Sequence, residues 1–318
     1  MAVASASRQT AWFVALSLGI SWTLGVLWLR YPQVWQLTQW MMVTPAIVGF
    51  ACAWLFQREP PRAAGFAFTG WAPWVVALVY PVAMAAIAAG MGYLVRFATS
   101  DAGFIVFHPE QLTTADGHSR PWRIAVRLAM VLVPWLVVAF FYRWKGPSYL
   151  ERLWRPLGPL ASLLAWMGVV VLYPGPLAPP GSVGEELGWR GFLVRRWQHA
   201  PVTALVVAMP IWAAFHLPVI FAATQRGHVV QNVTFLASIA AAAPVFAALY
   251  RWAQSVWPCV VLHFAWNLWN PFLLGDVYHG APGVFGGAVW FFNGEGACGL
   301  LINGLVSFWL IRRALRSA

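Results

Sequence analysis

Uninterrupted apolar runs of about 20 residues recur along this chain, and they constrain its fold more than any other feature. A helix of that length crosses the roughly 30 Å hydrocarbon core of a bilayer. Inside lipid every backbone N–H and C=O needs a partner within the protein, and a helix supplies those partners within its own segment. Because 61% of the residues are hydrophobic and 9% are charged, the sequence predicts an all-α, polytopic transmembrane helical bundle.

The apolar runs predict about eight to ten membrane spans, which together form one membrane domain. The predicted spans are residues 10–30, 37–56, 71–97, 124–142, 157–173, 202–223, 229–250, 256–275 and 296–313. A shorter amphipathic segment is predicted at 183–198. The one long polar connection is 98–123, and its residues indicate no role beyond joining or gating the helices.

Basic residues give the chain a formal net charge of +11, and they collect at the ends of the apolar runs. No nucleic-acid partner is expected, because Lys and Arg form no long soluble stripe. Basic residues in short loops favour the cytoplasmic side. If the N-terminus is cytoplasmic and all ten segments cross, that side holds Arg58, Arg62, Arg143, Lys145, Arg152, Arg155, Arg195, Arg196, Arg251, Arg312, Arg313 and Arg316.

Two adjacent glutamates and an arginine lie among these apolar segments, in the motif Glu185-Glu186-Leu-Gly-Trp-Arg190. On insertion scales a charged Asp, Lys or Arg at membrane depth costs roughly 2.5–3.5 kcal/mol, so such groups are usually paired, solvated or used in chemistry. Glu186 and Arg190 are four residues apart on a helix, which predicts a structural salt bridge on one face. Glu185 lies about 100° around the helix and is free to point elsewhere.

A helix cap is the alternative interpretation of Glu185. Four prolines and two glycines lie between 173 and 181, where they are expected to exclude a helix. The motif helix is therefore predicted to start at Ser182 as N-cap, with Glu185 three residues later as in a capping box.

Two histidines and an asparagine are the other polar residues within apolar segments. His216 follows Trp212-Ala-Ala-Phe, and His263 and Asn267 share a helix face at four-residue spacing. A single buried histidine is more often a core residue bonded to a carbonyl. Several polar side chains in lipid, however, need mutual partners or a water-filled cavity, which favours a site.

These residue types suggest hydrolysis. A glutamate and a histidine can activate water by general base catalysis, and a second histidine with an amide can stabilise an oxyanion. Other intramembrane chemistries lack their signatures: the chain has no His-Glu-x-x-His, no Gly-x-Ser-Gly, and no pair of aspartates within spans. Zinc bound by Glu185, His216 and His263 is ranked second, because three protein ligands plus water form a catalytic zinc site. Otherwise no cofactor is expected.

Taken together, these motifs resemble the CPBP intramembrane protease family, also called the Abi family, which includes the type II CAAX prenyl endopeptidases. The family's Glu-Glu-x-x-x-Arg matches Glu185 to Arg190, and its His-x-x-x-Asn matches His263 and Asn267. Its Phe-x-x-x-His matches at His216, but Trp212 replaces the phenylalanine. That replacement is expected to change only a packing contact. The likeness covers roughly residues 160–275.

The resemblance implies an all-helical membrane protease whose site lies in an intramembrane polar cavity. It assigns Glu185 as the base with help from His216, and places His263 and Asn267 at the oxyanion. Glu186 and Arg190 support the geometry. The implied division is residues 1–156 as N-terminal transmembrane helices and 157–318 as the catalytic core.

The resemblance also implies partners and location. The expected partners are the lipid bilayer and a membrane-associated peptide or protein substrate, either membrane-anchored or of the prenylated type. The Trp- and Ala-rich composition favours a multi-pass protein of the bacterial cytoplasmic (inner) membrane. A non-catalytic membrane protein, such as an immunity factor or a small transporter with a structural polar cluster, is the alternative from another class.

Overall fold

A computed structural model shows a helical bundle. It describes residues 2–34, 36–57, 70–113, 179–223, 229–277 and 281–317, together with the isolated positions 65, 121–122, 124–126 and 129. The predicted spans at 124–142 and 157–173 lie almost entirely outside the described residues.

The N-terminal part consists of three long helices, which are α1 (Ala2–Arg30), α2 (Gln36–Gln57) and α3 (Ala72–Thr99). Helices α1 and α2 pack side by side. Pro45 and Pro81 lie inside α2 and α3 without ending them, as membrane helices allow when their neighbours satisfy the freed backbone groups.

A small folded cap follows α3. Strand β1 (Ile105–Phe107) is followed by a 3-10 turn at Pro109–Leu112. Asp101 accepts a hydrogen bond from the Gly103 backbone N–H at 2.9 Å, which tightens the turn before the strand. The pKa of the exposed Glu110 is lowered in this turn. The main cause is a hydrogen bond from the Glu110 backbone N–H, and the next is the hydrogen bond with His108 at 2.8 Å. The described part of the polar connection is therefore folded.

The acidic motif lies on helix α4 (Pro179–Glu186), which continues directly into a π-helical segment, Leu187–Val194. The prediction that the helix starts at Ser182 is wrong, because it begins at Pro179, where the first turn tolerates a missing N–H. The capping-box role predicted for Glu185 is therefore wrong as well. The segment is also not amphipathic, since every residue from 181 to 194 is buried.

The predicted span 202–223 is divided into α5 (Pro201–Val206), α6 (Ala208–Phe215) and α7 (Leu217–Ala223). A proline clashes with the carbonyl four residues before it and cannot donate a hydrogen bond. Pro218 thereby frees the Ala214 carbonyl, which accepts a hydrogen bond from Trp22 Nε1 at 2.8 Å. His216 lies at the resulting break between α6 and α7.

The C-terminal part contains α8 (Val229–Ala253), α9 (Trp257–Leu274), strand β2 (Phe285–Gly287), the short α10 (Val289–Phe292) and α11 (Ala297–Arg316). Helix α8 packs on α11, and α9 packs on α3. Strand β2 pairs antiparallel with β1, with Ile105 opposite Gly287. A small two-stranded sheet thus joins the cap to the C-terminal half.

Five helices of the described residues are long and apolar enough to cross a membrane. They are Ala6–Arg30, Gln36–Phe56, Ala72–Thr99, Val229–Ala253 and Val289–Arg316. The polytopic helical bundle is thereby confirmed, and five predicted spans correspond to these helices. Helix α9 covers the predicted span 256–275 but is not among the five.

Arginines gather at one end of the bundle, which we call the arginine-rich end. Arg8 of α1 lies over the Phe56 ring near the end of α2, and Arg251 donates to the Pro201 carbonyl at 3.2 Å. The same end holds Arg195, Arg196, Arg312, Arg313 and Arg316. The cap, with Asp101 and Glu110, lies at the other end.

The close packing of α2 against the motif helix depends on glycine. A Cβ added at Gly188 would lie 2.6 Å from the Pro45 carbonyl oxygen, and one at Gly184 would lie 2.6 Å from Val43 Cα. Because backbone atoms cannot move aside as a side chain can, these two helices would have to separate.

We predict that Gly188→Ala destabilises the protein by about 1–3 kcal/mol, the usual cost of overpacking a tight core. The measurement is thermal or denaturant unfolding of the purified protein in detergent micelles. Gly90→Ala is the matched control, since a Cβ there meets nothing within 4 Å. Equal unfolding midpoints for the two variants would contradict this packing.

Candidate active site

The acidic motif is buried at the centre of the described bundle. Glu185, Glu186 and Arg190 expose 1% or less of their surface. Arg190 Nη1 donates to Glu186 Oε1 at 2.9 Å, so the predicted salt bridge is confirmed. A second pair four residues apart also meets on the motif helix. Trp189 Nε1 lies 3.4 Å from Glu185 Oε2.

Glu186 has a second partner that the sequence did not predict. His263 Nδ1, on α9, lies 2.8 Å from the same Glu186 oxygen that receives Arg190. A carboxylate can only accept, so His263 donates through Nδ1–H and keeps Nε2 for another group. Glu186 therefore joins the motif helix to α9 and orients the imidazole.

Trp212 is a hydrogen-bond donor to Glu185. Its indole Nε1 lies 2.8 Å from Glu185 Oε2, and its side chain is 5% exposed. The expectation that tryptophan at this position changes only a packing contact is wrong, because a phenylalanine ring has no N–H. A buried indole N–H usually has a hydrogen-bond acceptor, and here the acceptor is Glu185, the candidate base.

His216 is oriented by the break in its helix. Its backbone N–H donates to the Ala213 carbonyl at 3.1 Å instead of to Trp212. The Trp212 carbonyl is then able to accept the His216 Nδ1–H, at 2.8 Å. Like His263, His216 directs Nδ1 to an acceptor, and within the described residues its Nε2 makes no hydrogen bond.

The Trp212 ring lies between the two imidazoles. Its centroid is 5.9 Å from that of His216 and 5.8 Å from that of His263, both in edge-to-face geometry. Glu185 is also close enough to His263 for a Coulombic interaction. The structure thus brings Glu185, Glu186, Arg190, His216 and His263 together around Trp212.

Asn267 is placed by helix geometry alone. It lies one turn after His263 on α9, so the two side chains share a face. Within the described residues no contact joins Asn267 to Glu185 or to either histidine. Asn267 and His216 are half-buried, whereas the carboxylates are fully buried, so the cluster is accessible from the side of these two residues.

Arg190 is held between two aromatic rings. Its Cζ lies 4.2 Å from the Trp212 ring centroid and 4.5 Å from that of Phe246, which is cation–π geometry. Its Nε and Nη2 atoms, and Glu186 Oε2, are buried and have no hydrogen-bond partner among the described residues. The cluster therefore retains hydrogen-bonding capacity for a polar group.

The residues suggested as zinc ligands were tested against this geometry. No three His, Cys, Asp or Glu side chains in the described part of the chain are arranged to hold a metal ion. One oxygen of Glu185 is engaged by indole N–H groups, and both histidines direct Nδ1 to other acceptors. Histidines that bind a metal through Nε2 commonly use Nδ1 in this way, so the zinc alternative stays a prediction.

Comparison with known families identifies the part of the chain that carries these residues. Residues 121–269 match the model of the type II CAAX prenyl endopeptidase Rce1-like family. The match covers slightly less than half of the chain. Neither the comparison with curated proteins nor that with solved structures found a match.

The Rce1-like match includes all six predicted site residues, from Glu185 to Asn267, and it starts before residue 160, where the sequence resemblance was predicted to begin. The match supports a CAAX-type membrane endopeptidase, a peptide hydrolase, as the general class, and the long apolar helices support an integral multi-pass membrane protein. The Rce1-like family therefore supplies the reaction class, and the buried cluster supplies the residues that could carry the reaction.

We predict that Arg190→Met destabilises the protein by about 3–5 kcal/mol, because it leaves two buried carboxylates without their cation. Unfolding midpoints in detergent measure the effect. Arg312→Met is the matched control, since Arg312 is exposed at the arginine-rich end. Similar small losses in both variants would show that the Arg190–Glu186 pair does not stabilise the bundle.

Proposed function

We propose that this protein is an intramembrane endopeptidase that hydrolyses a peptide bond of a membrane-anchored or prenylated-type peptide or protein. Glu185 activates the water with help from His216, and His263 and Asn267 stabilise the oxyanion. The observation that carries the proposal is the buried Glu185 carboxylate, bonded to Trp212, whose ring contacts both imidazoles.

In the proposed reaction, Glu185 takes a proton from water as the water oxygen attacks the scissile carbonyl carbon. The carbonyl oxygen becomes an oxyanion in the tetrahedral intermediate. The protonated Glu185 then gives its proton to the leaving nitrogen, and the C–N bond breaks to release a carboxylic acid and an amine. General acid–base catalysis of this kind contributes roughly 10²–10⁴-fold. His216 presents Nε2 as an additional acceptor for the water proton.

The oxyanion is proposed to lie next to the face of α9 that carries His263 and Asn267. A protonated His263 offers Nε2–H, because Nδ1–H is already directed to Glu186. Asn267, one turn away on the same face, offers its amide N–H₂. Donors fixed before the reaction stabilise an oxyanion without reorganising, and removing one typically costs roughly 10²–10³ in kcat.

The proposed location is the bacterial cytoplasmic membrane, with the arginine-rich end on the cytoplasmic side. The support is the excess of arginines at that end. The substrate would approach the cluster along the half-buried side of His216 and Asn267, from within the membrane.

We predict that Glu185→Gln abolishes hydrolysis, with a loss of at least about 10³-fold in kcat, because an amide cannot take the proton from water. The assay uses purified protein in lipid nanodiscs and a library of internally quenched peptides that carry a lipid or isoprenoid anchor. Glu110→Gln is the matched control, since Glu110 is exposed in the cap. Wild-type rates in Glu185→Gln would rule out the proposed base.

The zinc alternative predicts a different response. If no metal takes part, dialysis against a strong chelator leaves the rate unchanged, and the purified protein contains much less than one zinc per chain. Loss of activity with the chelator, restored by added zinc, would support the zinc mechanism instead. If the protein is not an enzyme, no peptide is cleaved, or the cleavage rate is the same in the wild type and in Glu185→Gln.

A further inference from the structure

Trp212 contacts four members of the cluster, which are Glu185, Arg190, His216 and His263. Its indole N–H donates to Glu185 at 2.8 Å, and Arg190 lies over its ring at 4.2 Å. Its carbonyl accepts from His216, and its ring meets the edges of both imidazoles. A residue with these four kinds of contact is more than a space-filling aromatic.

We propose that Trp212 is a positioning residue that holds the Glu185 carboxylate, through one of its two oxygens, in the orientation that activates water. This inference rests on the proposed role of Glu185 as the base. The motif that the chain resembles has phenylalanine at this position, which carries no N–H donor.

The contacts of Glu185 support a division of labour between its two oxygens. Both hydrogen bonds that the described residues make to Glu185, from Trp212 and Trp189, end on Oε2. Oε1 receives none from them. The fixed oxygen sets the plane of the carboxylate, and the other oxygen is left to accept the proton of the attacking water.

The hydrogen bond also affects the pH at which the site works. A donor to a carboxylate favours its charged form, so removing the Trp212 N–H is expected to move the acidic limit of activity to higher pH. Other groups around Glu185 act on the same equilibrium and stay unchanged in the test below. Among the described residues they are Glu186 and Arg190 on its own helix, His216 at the α6–α7 break, and His263 and Cys259 on α9.

The test is the pH–rate profile of Trp212→Phe. Phenylalanine keeps a ring against Arg190 and the imidazoles but cannot donate. Losing a hydrogen bond to a charged group should move the acidic limb of the kcat/KM profile up by about one pH unit or more, with kcat about tenfold lower. The assay uses the nanodisc-embedded protein and the anchored peptide that the wild type cleaves fastest.

Trp197→Phe is the matched control. It also removes one indole hydrogen bond, from Trp197 Nε1 to Thr10 Oγ1 at 3.1 Å, at the arginine-rich end. We expect this variant to keep the wild-type profile. If Trp212→Phe fails to fold, Trp212 is replaced by its benzothiophene analogue, in which sulfur takes the place of the indole N–H and the shape is kept.

The outcomes separate the two proposals. An inactive Glu185→Gln together with an unmoved profile in Trp212→Phe would overturn the positioning role and leave the base assignment intact. A Glu185→Gln variant that keeps wild-type activity would overturn both. A purely structural Trp212 would lower the unfolding midpoint and kcat without moving the profile.

Discussion

The site depends on one buried carboxylate oxygen that is shared between two helices. Glu186 Oε1 receives Arg190 from its own helix and His263 from α9, at 2.9 and 2.8 Å. A lone buried charge is very costly, whereas a paired and hydrogen-bonded one can be retained. Two glutamates and one arginine sum to a single negative charge, and a protonated His263 would bring that sum to zero. The cluster is therefore stable only as a set.

Irregular helices put the other side chains in place. Breaks in regular helix are frequent at functional sites. One follows Glu185 on its own helix, and another lies at His216, next to the segment that carries Trp212. The π-helical segment follows the glutamates, and its glycine at 188 allows it to pack directly on α2. The neighbouring helix is broken at His216, whose backbone N–H donates to Ala213, and the Trp212 carbonyl is left to orient the His216 ring. A regular helix through His216 would use that carbonyl for its own backbone.

Much of this arrangement could be predicted from sequence, because it follows from the local spacing of residues or from the free-energy cost of burying charged groups in a membrane. The Glu186–Arg190 pair follows from a four-residue spacing, and the apolar runs determine α1, α2, α3, α8 and α11. The sequence also predicted that polar residues within apolar segments need partners or a cavity, and the structure gives His263 such a partner in Glu186. What joins them across helices could not be predicted, since the Glu186–His263 contact spans 77 residues of chain.

The errors have physical causes as well. The motif helix begins three residues before the predicted N-cap, because prolines are tolerated in a first turn. It is buried on all sides, because the charged residues find partners inside the bundle instead of facing water. Trp212 was treated as a substitute ring, although a buried indole N–H must find an acceptor. That requirement was the available signal for its bond to Glu185.

The most direct test of the shared carboxylate is a double-mutant cycle on kcat/KM with Glu186→Gln, His263→Gln and the double variant. If Glu186 acts by orienting His263, each single variant loses activity, and the double variant is about as impaired as the worse single one. Losses that simply add on a logarithmic scale would contradict the account, because the two residues would then act independently.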